Sequence, residues 1–163
     1  RQLGVPGEFA RAYVVAHEFG HHIQNLRGTN ERVSAGSQGA NSASVALELQ
    51  ADCYAGIWSG QLNRERKLDL NDAKEAILST GRAGDDVRGI PGRKWGHGSA
   101  RDRIAWFAEG WNNGTRAACD TSTAEVGAVF AEARRLGVHQ VLQPLARREA
   151  LAGQASPPQQ VGQ

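Results

Sequence analysis

Two histidines four residues apart, with a glutamate beside the first, are the clearest chemical signal in this sequence. They lie in the string His17-Glu18-Phe19-Gly20-His21. On a helix His17 and His21 share one face, about 6 Å apart along the axis. From that spacing two imidazoles can hold one tetrahedral metal ion, typically zinc, and Glu18 can accept a proton from the water that such a metal activates. The alternative is a chance occurrence of this HExxH pattern.

A catalytic zinc ion needs a third protein ligand and an open fourth position. The metzincin layout requires glycine at position 24 and histidine at position 27, where the sequence has Gln24 and Arg27. A nearby aspartate ligand is excluded because no Asp occurs between His21 and Asp52. The gluzincin layout, a glutamate on a following helix with an aspartate four residues later, fits Glu48 and Asp52.

Glu48 and Asp52 lie on the same face of a predicted helix. We expect Glu48 to be the third zinc ligand, and Asp52 to accept a hydrogen bond from a ligand imidazole and fix its tautomer. The alternative is a pair of exposed carboxylates, because acidic residues mostly lie at the surface. The predicted cofactor is one Zn²⁺ per chain.

The segments around these residues have helical patterns, and no strand is evident. Ser42 and Ser99 are expected to cap helices, as is Asp69 or Asn71. Gly20 is unfavourable in a helix, so something other than propensity requires a small side chain there. The predicted helices cover 8–26, about 43–62, about 70–80, from 100 through 107, 123–136 and a weaker stretch after Pro144. The fold class is mainly α.

Composition and charge exclude several classes of function. A net charge of +2 on 163 residues is too small to favour nucleic acid or an anionic membrane as partner. The longest apolar run, from Tyr13 to Ala16, is far shorter than a membrane span. The first residue is Arg1 rather than Met, so we expect a processed chain, an excised domain or an incomplete gene product.

The two cysteines, Cys53 and Cys119, do not have the spacing of a cysteine-rich metal site. They could form one disulfide or remain two buried thiols. A location outside the cytoplasm would favour the disulfide, and the sequence leaves the choice open.

Three strings of this sequence resemble the bacterial family named putative neutral zinc metallopeptidases. They are AYVVAHEFGHHIQ at 12–24, ELQADCYAGIW at 48–58 and HGSARDRIAWF at 97–107, the last followed by Cys119-Asp120. The resemblance covers roughly residues 4–120. It implies a zincin-like helical core with His17, His21 and Glu48 as zinc ligands and Glu18 as the catalytic acid/base.

Members of that family usually carry an upstream region with a hydrophobic N-terminal segment. Such a segment would be the route to membrane anchoring and to a location outside the cytoplasm. We therefore expect an N-terminally incomplete metallopeptidase domain over 1–120, a helical extension over 121–152 and a disordered tail over 153–163.

The function that these features predict is zinc-dependent hydrolysis of peptide bonds in a peptide or protein substrate. One alternative is a zinc-stabilised binding module without activity, against which Glu18 argues because a structural site has no use for a base. Another is a zinc hydrolase of a non-peptide amide, which the sequence does not distinguish from a peptidase. Subsite preference and oligomeric state stay open.

A few further residues carry expectations. His97, between two glycines and just before a helix cap, is a candidate donor to the oxyanion of the reaction, with packing against Trp95 or helix capping as the alternative. His22 is expected to be a packed or hydrogen-bonded core histidine. Arg101 and Arg103 could bind a carboxylate near the site, but we expect them at the surface. The four tryptophans are expected in the core.

Overall fold

The computed structural model describes residues 7–32, 37–121 and 126–154, and these contain five α-helices. The helices are α1 (Glu8–Leu26), α2 (Ala43–Arg64), α3 (Leu70–Arg82), α4 (Ala100–Asn113) and α5 (Val126–Gln154). Short 3₁₀ turns cover Asn30–Arg32, Gly92–Lys94 and Arg116–Cys119. The described residues contain no strand, and the prediction of a mainly α fold is confirmed.

Three of the helices begin at side-chain caps that the sequence predicted. The hydroxyls of Ser42 and Ser99 accept from backbone N–H groups three residues on, at 3.2 and 3.0 Å. Asp69, rather than Asn71, caps α3, and it forms a reciprocal capping box with Asp72. These bonds satisfy N–H groups that have no partner within the helix. Each cap thereby fixes where a helix begins.

The C-terminal part of the chain departs from the prediction. One helix, α5, replaces the expected fifth and sixth helices and continues through Gly137 and Pro144. Val141 and Leu145 on this helix are almost fully buried, and packing of such a face outweighs the local cost of glycine and proline. Gly153 and Gln154, expected in the tail, are helical. The rest of the predicted tail, like the start of the predicted fifth helix, lies outside the described residues.

The helix α3 also continues past its predicted end at Gly81. Gly81 is buried, and a Cβ atom there would lie 2.9 Å from the side chain of Ile104 on α4. This glycine therefore permits close packing of α3 against α4 within the helix.

The helices α2 and α4 make the most extensive helix contact of the fold. A Cβ atom on Gly56 would lie 2.0 Å from the carbonyl oxygen of Phe107, and one on Gly110 would lie 1.9 Å from that of Cys53. The two backbones can approach this closely only because both positions lack a side chain. At the crossing of α1 and α2, a Cβ atom on Gly20 would lie 3.0 Å from the Cα atom of Ala51, which accounts for the helical glycine.

A disulfide joins α2 to the turn that follows α4. Cys53 and Cys119 are bonded, with their Cα atoms 5.6 Å apart, which resolves the choice that the sequence left open. Closing a loop across a separation of 66 residues stabilises the fold by about 4 kcal/mol in the chain-entropy model. The bond therefore adds to the close packing of α2 on α4.

Two of the four tryptophans occupy the positions expected of them. Trp106 and Trp111 on α4 are buried. Trp58 is 41% exposed and stacks on Phe9, and Trp95 is half-buried with its indole N–H donating to a backbone carbonyl. The expectation that all four lie in the core was wrong, because the large amphipathic ring of tryptophan is often only partly covered.

Among the described helices, none combines the length and the apolar character that crossing a membrane requires.

The contact between α2 and α4 predicts a large effect for a very small substitution. Gly110→Ala should lower the free energy of unfolding by about 1–3 kcal/mol or more, because its methyl group would collide with backbone rather than with a movable side chain. Gly153→Ala is the matched control, since it is also helical and its Cβ would meet nothing within 4 Å. Urea denaturation measures both. A Gly110→Ala protein as stable as the control would contradict the packing described.

Candidate metal centre

The two histidines on α1 and the glutamate on α2 converge on one point. The Nε2 atoms of His17 and His21 are 3.1 Å apart. Glu48 places Oε2 at 3.3 Å from Nε2 of His17 and Oε1 at 3.2 Å from Nε2 of His21. The structure therefore brings together the three residues that the sequence predicted as ligands.

The chemistry of these donors fits a zinc ion. Zinc binds imidazole nitrogen and carboxylate oxygen at about 2.0–2.2 Å, which puts tetrahedral ligands about 3.4 Å apart, close to the separations found here. The Nδ1 atoms of His17 and His21 already face the oxygens of Asp52 and Gln24, each at 2.8 Å. If both Nδ1 atoms donate, two bare Nε2 lone pairs and a carboxylate face one another, an arrangement that a cation stabilises.

The electrostatics of the centre favour positive charge at the same point. Burial lowers the pKa of His17, but Asp52 and Glu48 outweigh it and raise that pKa to about 9. Burial raises the pKa of Glu48, but His17 and His21 outweigh it and hold that pKa well below its usual range. The surrounding groups thus stabilise a cation between these side chains.

Asp52 fixes the orientation of His17, as the sequence predicted. Its carboxylate is fully buried and accepts from the Tyr13 hydroxyl at 2.5 Å and faces Nδ1 of His17 at 2.8 Å. Burial would raise the pKa of Asp52, yet Arg103 and His17 lower it below its usual value. The aspartate stays charged, and its hydrogen bond selects the tautomer of His17 that leaves Nε2 free for a metal.

The sequence led us to expect Arg103 at the surface, and this expectation was wrong. Arg103 is buried beside the candidate metal centre, with 2% of its surface exposed. Its Nε and Nη2 donate to the two oxygens of Asp52 at 2.8 and 3.1 Å, and its Nη1 lies 3.5 Å from Glu48. A buried carboxylate is costly unless it is paired, and Arg103 supplies the pair. The sequence feature that could have indicated this partner is Asp52 itself, because an aspartate among apolar helix residues implies a cationic partner.

His21 is oriented by a chain of two amides, Gln24 and Gln50, that the sequence did not reveal. Gln24 accepts from Nδ1 of His21 at 2.8 Å, and its amide nitrogen donates to the carbonyl of Leu47 and to Gln50, at 2.8 and 3.1 Å. Gln50 in turn donates to the carbonyl of Cys119 at 2.9 Å. Since Gln24 donates to two oxygens, its own oxygen must face His21. The chain links this imidazole to the disulfide.

The metal centre opens into a cavity of about 670 Å³. Glu18 is exposed and lines this cavity next to the candidate ligands. The wall of the cavity also includes residues of α1 and of the segment after α3, namely Tyr13, Val14, Ala83, Arg88 and His97. The open side has room for water and for a bound ligand, and Glu18 can meet both.

His97 also faces this cavity, with its side chain 48% exposed. Its Nδ1 lies 3.2 Å from Oδ1 of Asp85, a buried carboxylate whose Oδ2 accepts the backbone N–H groups of Gly96, His97 and Gly98. Burial would raise the pKa of Asp85, but these bonds lower it. Asp85 therefore anchors the loop that carries His97. The role of His97 in the reaction stays a prediction.

Comparison with known proteins agrees with this site. The family model described as "Putative neutral zinc metallopeptidase" matches residues 1–122. The chain belongs to this family. An uncharacterised protein of Mycobacterium tuberculosis, Rv2575, is 41% identical over 138 residues, which cover 74% of this chain and 47% of that protein. The uncharacterised protein YpfJ of Escherichia coli K12 is 38% identical over 132 residues, which cover 74% and 46%.

The chain spans about half the length of the curated relatives it matches. No solved structure matches it. The family model covers both ligand-bearing helices and the segment with Asp85 and His97, so all the groups of this site belong to the metallopeptidase region.

His22, next to the candidate ligand His21, does not have the place expected of it. It is exposed, and its ring contacts that of Phe19 at 5.6 Å between centroids. One residue along a helix is a rotation of about 100°, which carries His22 from the buried face of α1 to the solvent face. His139, expected to be exposed, is exposed.

The amide chain predicts that Gln24 controls metal affinity without touching the metal. Gln24→Leu keeps the buried volume but removes the acceptor for His21, so zinc affinity should fall about 10–100-fold. Competition with a fluorescent chelator measures the dissociation constants, with Glu48→Ala as the reference for loss of a ligand. Equal zinc affinity in wild type and Gln24→Leu would contradict the role given to Gln24.

Proposed function

We propose that this chain is a zinc-dependent peptidase in which His17, His21 and Glu48 hold one zinc ion and Glu18 is the general base. The observation that carries the proposal is the convergence of two imidazole Nε2 atoms and one carboxylate, at distances of 3.1–3.3 Å, beside a second glutamate, Glu18, at the edge of an open cavity. Membership of a family named for zinc metallopeptidases supports it.

A bound zinc ion would supply Lewis acidity, which makes water acidic near neutral pH and stabilises negative charge on a carbonyl oxygen. Glu18 then accepts the proton of the attacking water and delivers it to the departing amine. Because Glu18 is exposed to the cavity, its carboxylate can reach water and substrate without leaving α1. The buried groups around Asp52 hold the ligands fixed during this proton transfer.

His97 is the second protein group to which we assign a catalytic role. Asp85 lies at Nδ1 of its ring, so Nε2 is the ring atom that remains to donate to a bound ligand. Such a donor can stabilise the oxyanion that forms when the peptide carbonyl is attacked. Asp85 acts as a positioning residue through this ring.

The open cavity favours a catalytic zinc site over a purely structural one. Structural zinc sites have four protein ligands and are closed, whereas the described residues offer three at this site, which opens into a cavity of about 670 Å³. The substrate we propose is a peptide or protein. The disulfide supports the further proposal that the domain works outside the cytoplasm, where such bonds persist.

The role of Glu18 predicts a variant that keeps its metal and loses its activity. Glu18→Gln should hold one zinc per chain yet lose nearly all cleavage of a fluorogenic peptide library, because an amide cannot accept the proton of water. Metal analysis and peptide turnover are measured on the same sample. Turnover like that of wild type in zinc-loaded Glu18→Gln would refute the mechanism. If wild type cleaved only non-peptide amides, the protein would be a hydrolase of such amides rather than a peptidase.

The role of His97 predicts a loss of turnover without a loss of metal. His97→Ala should lower kcat by about a hundredfold or more, the scale for removing one oxyanion donor. Zinc content and thermal stability should barely change, because the side chain is half exposed and faces the cavity. Loss of zinc would instead make His97 a ligand. An unchanged kcat would remove it from the mechanism.

A further inference from the structure

We propose that Arg88 selects substrates that carry a carboxylate close to the scissile bond. This inference rests on the proposed function, since it names the class of peptide that the same cavity takes. The carboxylate can belong to an aspartate or glutamate side chain or to the C-terminus of the peptide. Both present the same group to a guanidinium.

The ionisable groups around the cavity differ in whether they already have partners. Arg103 binds Asp52 with two nitrogens and approaches Glu48 with a third. His97 faces Asp85. Arg88 lines the same cavity, is exposed and has no carboxylate within ion-pair distance in the part of the chain that the structure describes. Its charge is therefore available to an incoming ligand.

The backbone that carries Arg88 is held firmly against the cavity. The N–H of Arg88 donates to the carbonyl of Gly84, and that of Ile90 donates to the carbonyl of Asp85. Asp86 accepts the backbone N–H of Ala100 at 2.7 Å, at the start of α4. The two nearest acidic residues of the segment, Asp85 and Asp86, thus bind backbone groups of residues 96–100. The turn is fixed while the guanidinium extends from it.

A guanidinium carried on a fixed turn beside a hydrolytic centre recognises carboxylates in preference to other groups. Its planar N–H pairs match the two oxygens of a carboxylate, and it repels a lysine or arginine side chain of the substrate. Because Arg88 is exposed, water and salt screen part of this attraction. We expect a preference of about tenfold for an acidic over a neutral peptide.

The test compares matched peptides on the full chain. A neutral peptide that the protein cleaves is resynthesised with Glu, Gln or Lys at each position flanking the cut, and with a free or an amidated C-terminus. Wild type should show a kcat/KM about tenfold higher for Glu than for Gln at one position, or for the free over the amidated end. The first result assigns the carboxylate to a side chain and the second to the C-terminus.

Variants then assign the preference to one residue. Arg88→Ala should reduce the acidic-to-neutral ratio of kcat/KM to about one, and Arg88→Glu should reverse it in favour of Lys. Arg88→Lys should keep part of it, since it keeps the charge without the fork geometry. Arg93→Ala is the matched control, because Arg93 is exposed on the same connecting segment and does not line the cavity. A ratio near one in wild type, or an unchanged ratio in Arg88→Ala, would overturn the inference.

Binding measurements separate this inference from the proposed function. Zinc-loaded Glu18→Gln protein is titrated against fluorescein-labelled peptides that differ only in Glu or Gln, and anisotropy gives both dissociation constants. The Glu peptide should bind more tightly than the Gln peptide, and this difference should disappear in the Glu18→Gln/Arg88→Ala double variant. That result supports the inference even if wild type cleaves no peptide. Cleavage without any preference refutes the inference and leaves the peptidase function standing. If wild type cleaves no peptide and the protein binds no peptide selectively, both the inference and the proposed function are overturned.

Discussion

One buried carboxylate, that of Asp52, connects the fold of this protein to its candidate metal centre. It lies on α2 and meets Tyr13 and His17 of α1 and Arg103 of α4. A buried charge is costly unless it is paired and hydrogen-bonded. Here three side chains from two other helices form hydrogen bonds or an ion pair with the Asp52 carboxylate. Removing Asp52 would leave the buried Arg103 guanidinium with the Glu48 carboxylate, 3.5 Å from Nη1, as its remaining anionic contact among the described residues. Breaking a buried ion pair in this way typically costs about 3–5 kcal/mol. Asp52 is thus a structural residue as well as the partner of a ligand imidazole.

The two candidate ligand imidazoles are held by different chemistry. His17 faces a carboxylate, whereas His21 faces the neutral amide of Gln24. A charged acceptor makes an imidazole more basic than a neutral one does, so His17 is the stronger electron donor to a shared metal. The neutral amide avoids burying a second negative charge beside Glu48. The pairing of one charged and one neutral acceptor fixes both rings while limiting the electrostatic cost.

The sequence predicted the parts of this site that depend on local spacing. His17 and His21 share a helix face, as do Glu48 and Asp52, and Ser42 and Ser99 cap helices, because these relations are set within a few residues. It did not predict the burial of Arg103, whose partner Asp52 is 51 positions away. Nor did it predict that α5 continues through Pro144, since the burial of Val141 and Leu145 depends on the other helices. Contacts between distant segments decide such features, and a single sequence records them only weakly.

The cavity has a helix wall, formed by the helices with the candidate ligands, and a loop wall, formed by the segment with His97 and Arg88. A buried aspartate holds each wall in place. Asp52 joins the helices that carry the candidate metal ligands, while Asp85 accepts three backbone N–H groups and holds the segment that presents His97 and Arg88. The N–H bonds keep the pKa of Asp85 below its usual value despite burial. A depressed pKa in the folded state means that this charge stabilises the fold above the unfolded pKa and is lost as the pH falls through the folded value. The loop therefore stays anchored through the weakly acidic range. Because the two aspartates act on separate segments, substitutions on the helix wall should change metal affinity, and those on the loop wall should change turnover and selectivity.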